Sequence, residues 1–194
     1  QAANDVPVGT NQIVVPVGVS RASYLHFVVY TKSSLVEQTT PTMFEFKTAV
    51  DAFRVPTDPD FLDADLDLGD LGGNLTWSLP EIVDEITHYF FYLAEDALGN
   101  NRSVVGNVTI GTNAFDVPPD TALLSFSHLV VYTASSLVEQ ATPASHFLVD
   151  KFASVSDVLL VDKDQDAFDL GGEVTWASPA ATEQVEFYHV YFAS

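Results

Sequence analysis

Apolar and polar residues alternate along this chain with the period of strands. Tyr24, His26, Val28 and Tyr30 fall on one side and Leu25, Phe27, Val29 and Thr31 on the other, while Ile86 to Ala94 (ITHYFFYLA) is a β-branched and aromatic run between polar loops. A period of two sends successive side chains to opposite faces of a sheet, so such runs predict strands with at least one buried face. Turn signals separate them at short intervals: Pro16, Pro41, Pro56 to Asp60, Gly69 to Asn74, Pro80, Gly99 to Asn101, Pro118 to Asp120, Pro143, and Gly171 with Gly172. Pro presets φ and Gly frees it where a chain reverses. No stretch sustains a helical period with caps, so the pattern predicts an all-β chain built as antiparallel β-sandwiches.

The pattern also repeats. His26 to Pro41 (HFVVYTKSSLVEQTTP) returns as His128 to Pro143 (HLVVYTASSLVEQATP), and Asp70 to Pro80 (DLGGNLTWSLP) returns as Asp169 to Pro179 (DLGGEVTWASP). The offsets are 102 and 99 residues, which describes one domain-sized unit copied in tandem with a three-residue indel. Tandem copies of this size belong to arrays more often than to enzymes.

A Trp shortly before a Pro (Trp77 with Pro80, Trp176 with Pro179), a Tyr-rich strand (Tyr89 and Tyr92, Tyr188 and Tyr191), a Pro-Asp-Thr turn and a Val-Val-Tyr strand follow one another. This succession resembles the B, C, E and F strands of a fibronectin type III-like (immunoglobulin-like) sandwich. The Asp-Leu-Gly-Gly-X-X-Thr-Trp and Ser-Ser-Leu-Val-Glu-Gln phrases are also similar to tandem repeats in very large predicted surface proteins of marine protists. The resemblance implies central Trp residues between two sheets and many copies in series. On that template residues 1–48 supply strands E to G of one sandwich, 49–147 a complete sandwich, and 148–194 strands A to C of the next. A permuted frame of two whole domains, 1–97 and 98–194, is the alternative. In the first frame each terminal half is too small to cover its own apolar face and needs a partner. That partner is a copy of itself or an adjacent repeat, joined head to tail.

Composition sharpens this picture. Hydrophobic residues make up 47% of the chain, enough for packed cores, yet 27 acidic residues face seven basic ones and the net charge is −20. Such a surface repels phosphate backbones and anionic lipids, which argues against nucleic acid and membrane insertion and fits an extracellular or cell-surface setting. Cysteine is absent, so thiolate chemistry and disulfides are excluded. No apolar run approaches the roughly 18 residues that cross a bilayer.

The sharpest candidate chemistry is a pair of acidic clusters. Asp63, Asp65, Asp67 and Asp70 match Asp162, Asp164, Asp166 and Asp169 position for position at an offset of 99. Asp-X-Asp-X-Asp spacing lets alternate carboxylates converge on a hard cation, so calcium is the expected ligand, with Asp58 and Asp60 as further donors in the first copy; a solvated edge strand is the competing reading. The sixth-position Gly and twelfth-position Glu of an EF-hand are missing. Three sequons, at Asn74, Asn101 and Asn107, are candidate glycan acceptors. The duplicated segments Ser34 to Pro41 and Ser136 to Pro143 read either as a contact between neighbouring units, through Glu37, Gln38, Glu139 and Gln140, or as recent duplication. His26 and His128 sit in apolar strands as ordinary partly buried imidazoles, and no motif singles out a catalytic group. The expected function is an extracellular structural or adhesive protein forming a filament or stalk stiffened by calcium. A calcium-dependent carbohydrate- or ligand-binding module, using Phe61 or Phe168 beside an Asp cluster, is the alternative.

Overall fold

Eleven strands and one 3₁₀ turn (Asp51–Arg54) make up the regular structure of the described residues, 5–46 and 51–193, of the computed structural model; no α-helix is among them. In chain order the strands are β1 (His26–Val29), β2 (Thr42–Glu45), β3 (Thr57–Phe61), β4 (Asp70–Ser78), β5 (His88–Ala94), β6 (Ser103–Thr109), β7 (Ala114–Ala122), β8 (His128–Ala134), β9 (Ala144–Phe147), β10 (Ser156–Leu160) and β11 (Val174–Ala177). All pairings are antiparallel. The chain divides into two units, Gln1–Ala52 and Phe53–Ser194.

The larger unit holds a β-sandwich of seven strands between Thr57 and Phe147. One sheet has the order β3-β4-β7 and the other β6-β5-β8-β9. The period-two pattern decides which side chains meet between them. On β5 it is Tyr89, Phe91 and Leu93 that are buried against the opposite sheet, and on β8 Leu129 and Val131, while β4 contributes Leu71, Leu75 and Trp77. Trp77 lies 5.1 Å from the Tyr89 ring and 5.0 Å from Phe91, and Phe91 stacks on Phe115 of β7 at 4.5 Å. Four rings in tilted and offset contact add directional preference to the area they bury. The outer face of the four-stranded sheet carries a smaller cluster, Ala94, Val130 and Tyr132 with Phe90 and Tyr92.

The rest of the described chain repeats pieces of this sandwich. In the smaller unit β1 and β2 pair from His26↔Glu45 to Val29↔Thr42, which is the register of β8 and β9, His128↔Phe147 to Val131↔Ala144, displaced by 102. The connecting loops agree to the hydrogen bond: Thr31 Oγ1 donates to Gln38 Oε1 at 2.8 Å and Thr133 Oγ1 to Gln140 Oε1 at 2.7 Å. The hydroxyls of Ser33 and Ser135 each accept from two amides of the turn that follows. The near-identity of the two Ser-Leu-Val-Glu-Gln segments is therefore used locally, to close a hairpin.

Within the larger unit β10 and β11 repeat β3 and β4 at an offset of 99, including the bulge, where Asp58 (φ 49°) and Asp157 (φ 54°) both take left-handed backbone. Gly73 and Gly172 coincide too, at φ 149° and 155°, and in both a Cβ would run into a carbonyl oxygen, of Leu62 or Val161. Gly69, at φ 91°, is matched by Phe168 at φ 76°, where a side chain is poorly tolerated. The counterparts of the central strands are different. Residues 12–20 and 187–193, the counterparts of β7 and β5, form no strand, and Ile13, Val14, Val15, Phe187, Val190 and Phe192 among them are exposed. The boundary expected at residues 48 and 49 lies outside the described residues.

Candidate functional site

The first acidic cluster is a loop between β3 and β4 that folds around its own first carboxylate. Asp63 is 1% exposed. Its Oδ1 accepts the amides of Asp65 (3.2 Å) and Gly72 (3.0 Å), and its Oδ2 accepts the amide of Lys151 (2.8 Å). Asp65 continues the ladder: Oδ1 takes the amide of Asp67 at 3.0 Å and Oδ2 that of Asp120 at 2.8 Å. Alternating carboxylates thus cap successive backbone N–H groups, the Asx-turn chemistry that lets a polar loop stay paired as it curls. Asp67 is exposed and Asp70 half-buried at the start of β4.

This loop also receives the segment that follows the sandwich. Besides the Lys151 amide, Asp150 Oδ2 accepts the amide of Gly69 at 3.0 Å, the Ala153 amide donates to the Leu66 carbonyl, and Gln184 Nε2 donates to the Asp63 carbonyl at 2.7 Å. Asp150 and Gln184 lie 87 and 121 residues from Asp63, and nothing in the local pattern announces either.

The second cluster repeats the ladder without those long-range partners. Asp162 Oδ1 accepts the amides of Asp164 and Gly171, both at 3.0 Å, and Asp164 Oδ1 accepts that of Asp166 at 3.0 Å. Asp162, Asp164, Asp166 and Asp169 are all exposed. The carboxylate pattern common to both copies therefore corresponds to a common hydrogen-bonded loop. Among the described residues no group of three or more acidic or His side chains converges as a metal site would. Asp58 is exposed beside the β3 bulge, and Asp60 points outward on the same strand.

The three sequons are all exposed. Asn74 on β4 donates to Asp116 Oδ1 at 2.7 Å, and Asn101 in the β5–β6 loop donates to Glu95 Oε2 at 2.8 Å. Asn107 sits on the edge strand β6.

A cluster on the outer face of the four-stranded sheet escaped the sequence reading, because its members are 7 to 47 residues apart. The Arg102 guanidinium lies over both Tyr92 (4.4 Å) and Tyr132 (4.1 Å) and donates to Glu139 Oε1 at 2.6 Å, while the Tyr92 hydroxyl donates to Glu139 Oε2 at 2.7 Å. Burial first, then the Glu139 carboxylate, pushes the Tyr92 phenol up to about 12. Burial also raises the Tyr89 phenol in the core, with the Trp77 side chain opposing the shift. This cluster ties strands β5 and β8 to the β5–β6 and β8–β9 loops.

His146 Nδ1 lies 3.0 Å from the Pro59 carbonyl, 87 residues away in the chain, and His128 Nδ1 lies 2.8 Å from Ser127 Oγ, whereas His26, expected to be partly buried, is exposed on β1. A shallow cavity of about 310 Å³ opens beside Leu93, Val105, Pro118, Thr121, Leu124 and Phe126, with no titratable side chain in its lining. Phe168 is fully exposed beside the second acid loop, whereas Phe61 is buried in the core. Compared with known proteins, the chain matches no family model and no curated protein.

Proposed function

We propose that this chain is a structural link in an extracellular array of fibronectin type III-like sandwiches, in which the partial sandwiches at its two ends are completed by neighbouring units. One observation carries the reading. The core of the complete sandwich is built from eleven buried residues, and every one has an apolar counterpart in the partial ones. Seven positions (Phe61, Leu71, Leu75, Trp77, Tyr89, Phe91, Leu93) recur at an offset of 99 as Leu160, Leu170, Val174, Trp176, Tyr188, Val190 and Phe192. The other four (Val117, Leu129, Val131, Leu148) recur at 102 as Val15, Phe27, Val29 and Phe46.

Eight of those eleven counterparts are exposed, with Val29 at 70% and Phe192 at 94%. Exposed apolar surface of this extent marks an interaction site. Partial cores already form on each side, Trp176 against Tyr188 at 5.4 Å and Phe27 against Phe46 at 4.7 Å. The order β3-β4-β7 over β6-β5-β8-β9 supports the fibronectin-like identity, with 49–147 as the whole sandwich and 1–48 and 148–194 as parts of its neighbours. Glycans at Asn74, Asn101 or Asn107 suit the exposure of those side chains.

Calcium at the acid loops is a second element of the proposal, favoured by Asp150, whose Oδ1 is buried without a hydrogen-bond partner while its Oδ2 is tied to the first loop. Negative-stain imaging with calcium and with EDTA tests both elements. Filaments that shorten or bend in EDTA support calcium stiffening, filaments indifferent to EDTA remove calcium, and isolated particles under both conditions remove the array.

A further inference from the structure

We infer that residues 187–193 of one copy of this chain insert as the central strand beside residues 26–32 of a second copy, in one defined register. This rests on the array reading above and adds to it the partner and the pairing. The chain carries its own template: β5 pairs with β8 from His88↔Ala134 to Ala94↔His128. Carried over by the offsets of 99 and 102, these pairs become Phe187↔Lys32 to Ala193↔His26. In the same way Leu75↔Phe115, which joins β4 to β7, becomes Val174↔Ile13.

Three properties of the chain favour this occupant. Residues 187–193 (FYHVYFA) have the aromatic and β-branched composition of β5 yet lie outside any sheet, so their backbone groups lack the ladder that a central strand provides. The receiving hairpin β1–β2 already has the register of β8–β9, leaving the edge of β1 open where β8 meets β5. The parity is also consistent: Tyr188, Val190 and Phe192 fall on the face that β5 turns to the core, and Phe27 and Val29 on the matching face of β1. Because the side-chain period is two, a slip of one residue would turn Tyr188, Val190 and Phe192 to the face opposite Phe27 and Val29, which makes the register specific. Strand addition at a sheet edge combines main-chain hydrogen bonds with alternate side-chain pockets.

The absence of cysteine allows a clean test on the full chain. Phe90↔Tyr132 corresponds to His189↔Tyr30, both on the outer face and away from the complete sandwich's core. The double variant Tyr30→Cys, His189→Cys should give a ladder of disulfide-linked oligomers on a non-reducing gel. Thr31→Cys with His189→Cys, one residue out of register and on the opposite face, should give about tenfold less. Mixing the two single variants, Y30C and H189C, should give a dimer and no ladder, and intact Trp fluorescence checks folding in each case. Equal ladders from both double variants, in a protein whose mass still grows with concentration, overturn the register while leaving the array standing. A linked monomer shows that each chain closes on itself and overturns the second copy as partner. Wild-type protein that stays at the mass of one chain overturns the register and the array together.

Discussion

Replacing Asp63 with Ala should be among the most damaging single changes to the complete sandwich. The side chain is almost wholly buried and accepts three amides, from Asp65, Gly72 and Lys151. A hydrogen bond to a charged group contributes roughly 1.5–3 kcal/mol, and a buried donor left unpaired costs about 1–3 kcal/mol. The Gly72 amide is buried with its residue, whereas the Lys151 amide lies at a more open position, so water recovers part of the loss there. A total of about 3–5 kcal/mol results. Asp63→Asn keeps one acceptor oxygen but sets an amide donor against the Lys151 N–H, for a loss of about 2 kcal/mol. Asp162→Ala removes the equivalent carboxylate from an exposed loop and should cost under about 1 kcal/mol.

Urea unfolding followed by Trp fluorescence reads the difference, since Trp77 sits in the core. At about 4–8 °C per kcal/mol for a domain of this size, Asp63→Ala should also lower Tm by more than about 12 °C. The same losses are expected in EDTA, because the carboxylate acts on backbone N–H groups directly. Equal, small losses at Asp63 and Asp162 would refute the latch, and a loss that appears only with calcium would reassign Asp63 to a metal.

Phe168→Gly should stabilise the second acid loop by about 1 kcal/mol, because a fully exposed Phe holds a left-handed backbone where its counterpart is Gly69; hydrogen exchange across residues 160–175 should slow about fivefold. Tyr92 should be among the last of the seven tyrosines to ionise in an ultraviolet titration. Its folded-state pKa lies above the unfolded value near 10, so its share of stability is complete below pH 10 and is lost as pH rises through about 12. Tyr92→Phe should abolish that share of the alkaline dependence, and an unchanged profile would contradict the Tyr92–Glu139 assignment.

Much of this architecture is legible in the sequence because strand parity is a local signal. The ITHYFFYLA run announces β5, and the two spaced repeats announce the registers that β1–β2 shares with β8–β9 and β10–β11 with β3–β4. The acidic clusters were legible as recurring carboxylates, but the backbone amides that they accept were not. Spacing alone cannot say whether alternate Asp side chains turn toward a cation or toward their own backbone, and the long-range amides of Lys151 and Asp120 that fill Asp63 and Asp65 have no signature near residue 63. The clamp of Arg102, Glu139, Tyr92 and Tyr132 was hidden for the same reason, since only the β5–β8 register brings its members together. The Tyr-rich run around Tyr188 and Tyr191 reads as a strand by composition and forms none, because a strand needs a partner edge as well as a suitable sequence.

The central claim is that the two ends of this chain hold complementary parts of one sandwich. Light scattering of the purified chain across a concentration series tests it most directly. The account predicts a mass that climbs from that of a single chain, 21.1 kDa, through successive multiples as concentration rises, and falls back when Val190→Asp places a charge in the shared core. A mass fixed at one chain throughout, with the apolar ends remaining in water, would contradict it.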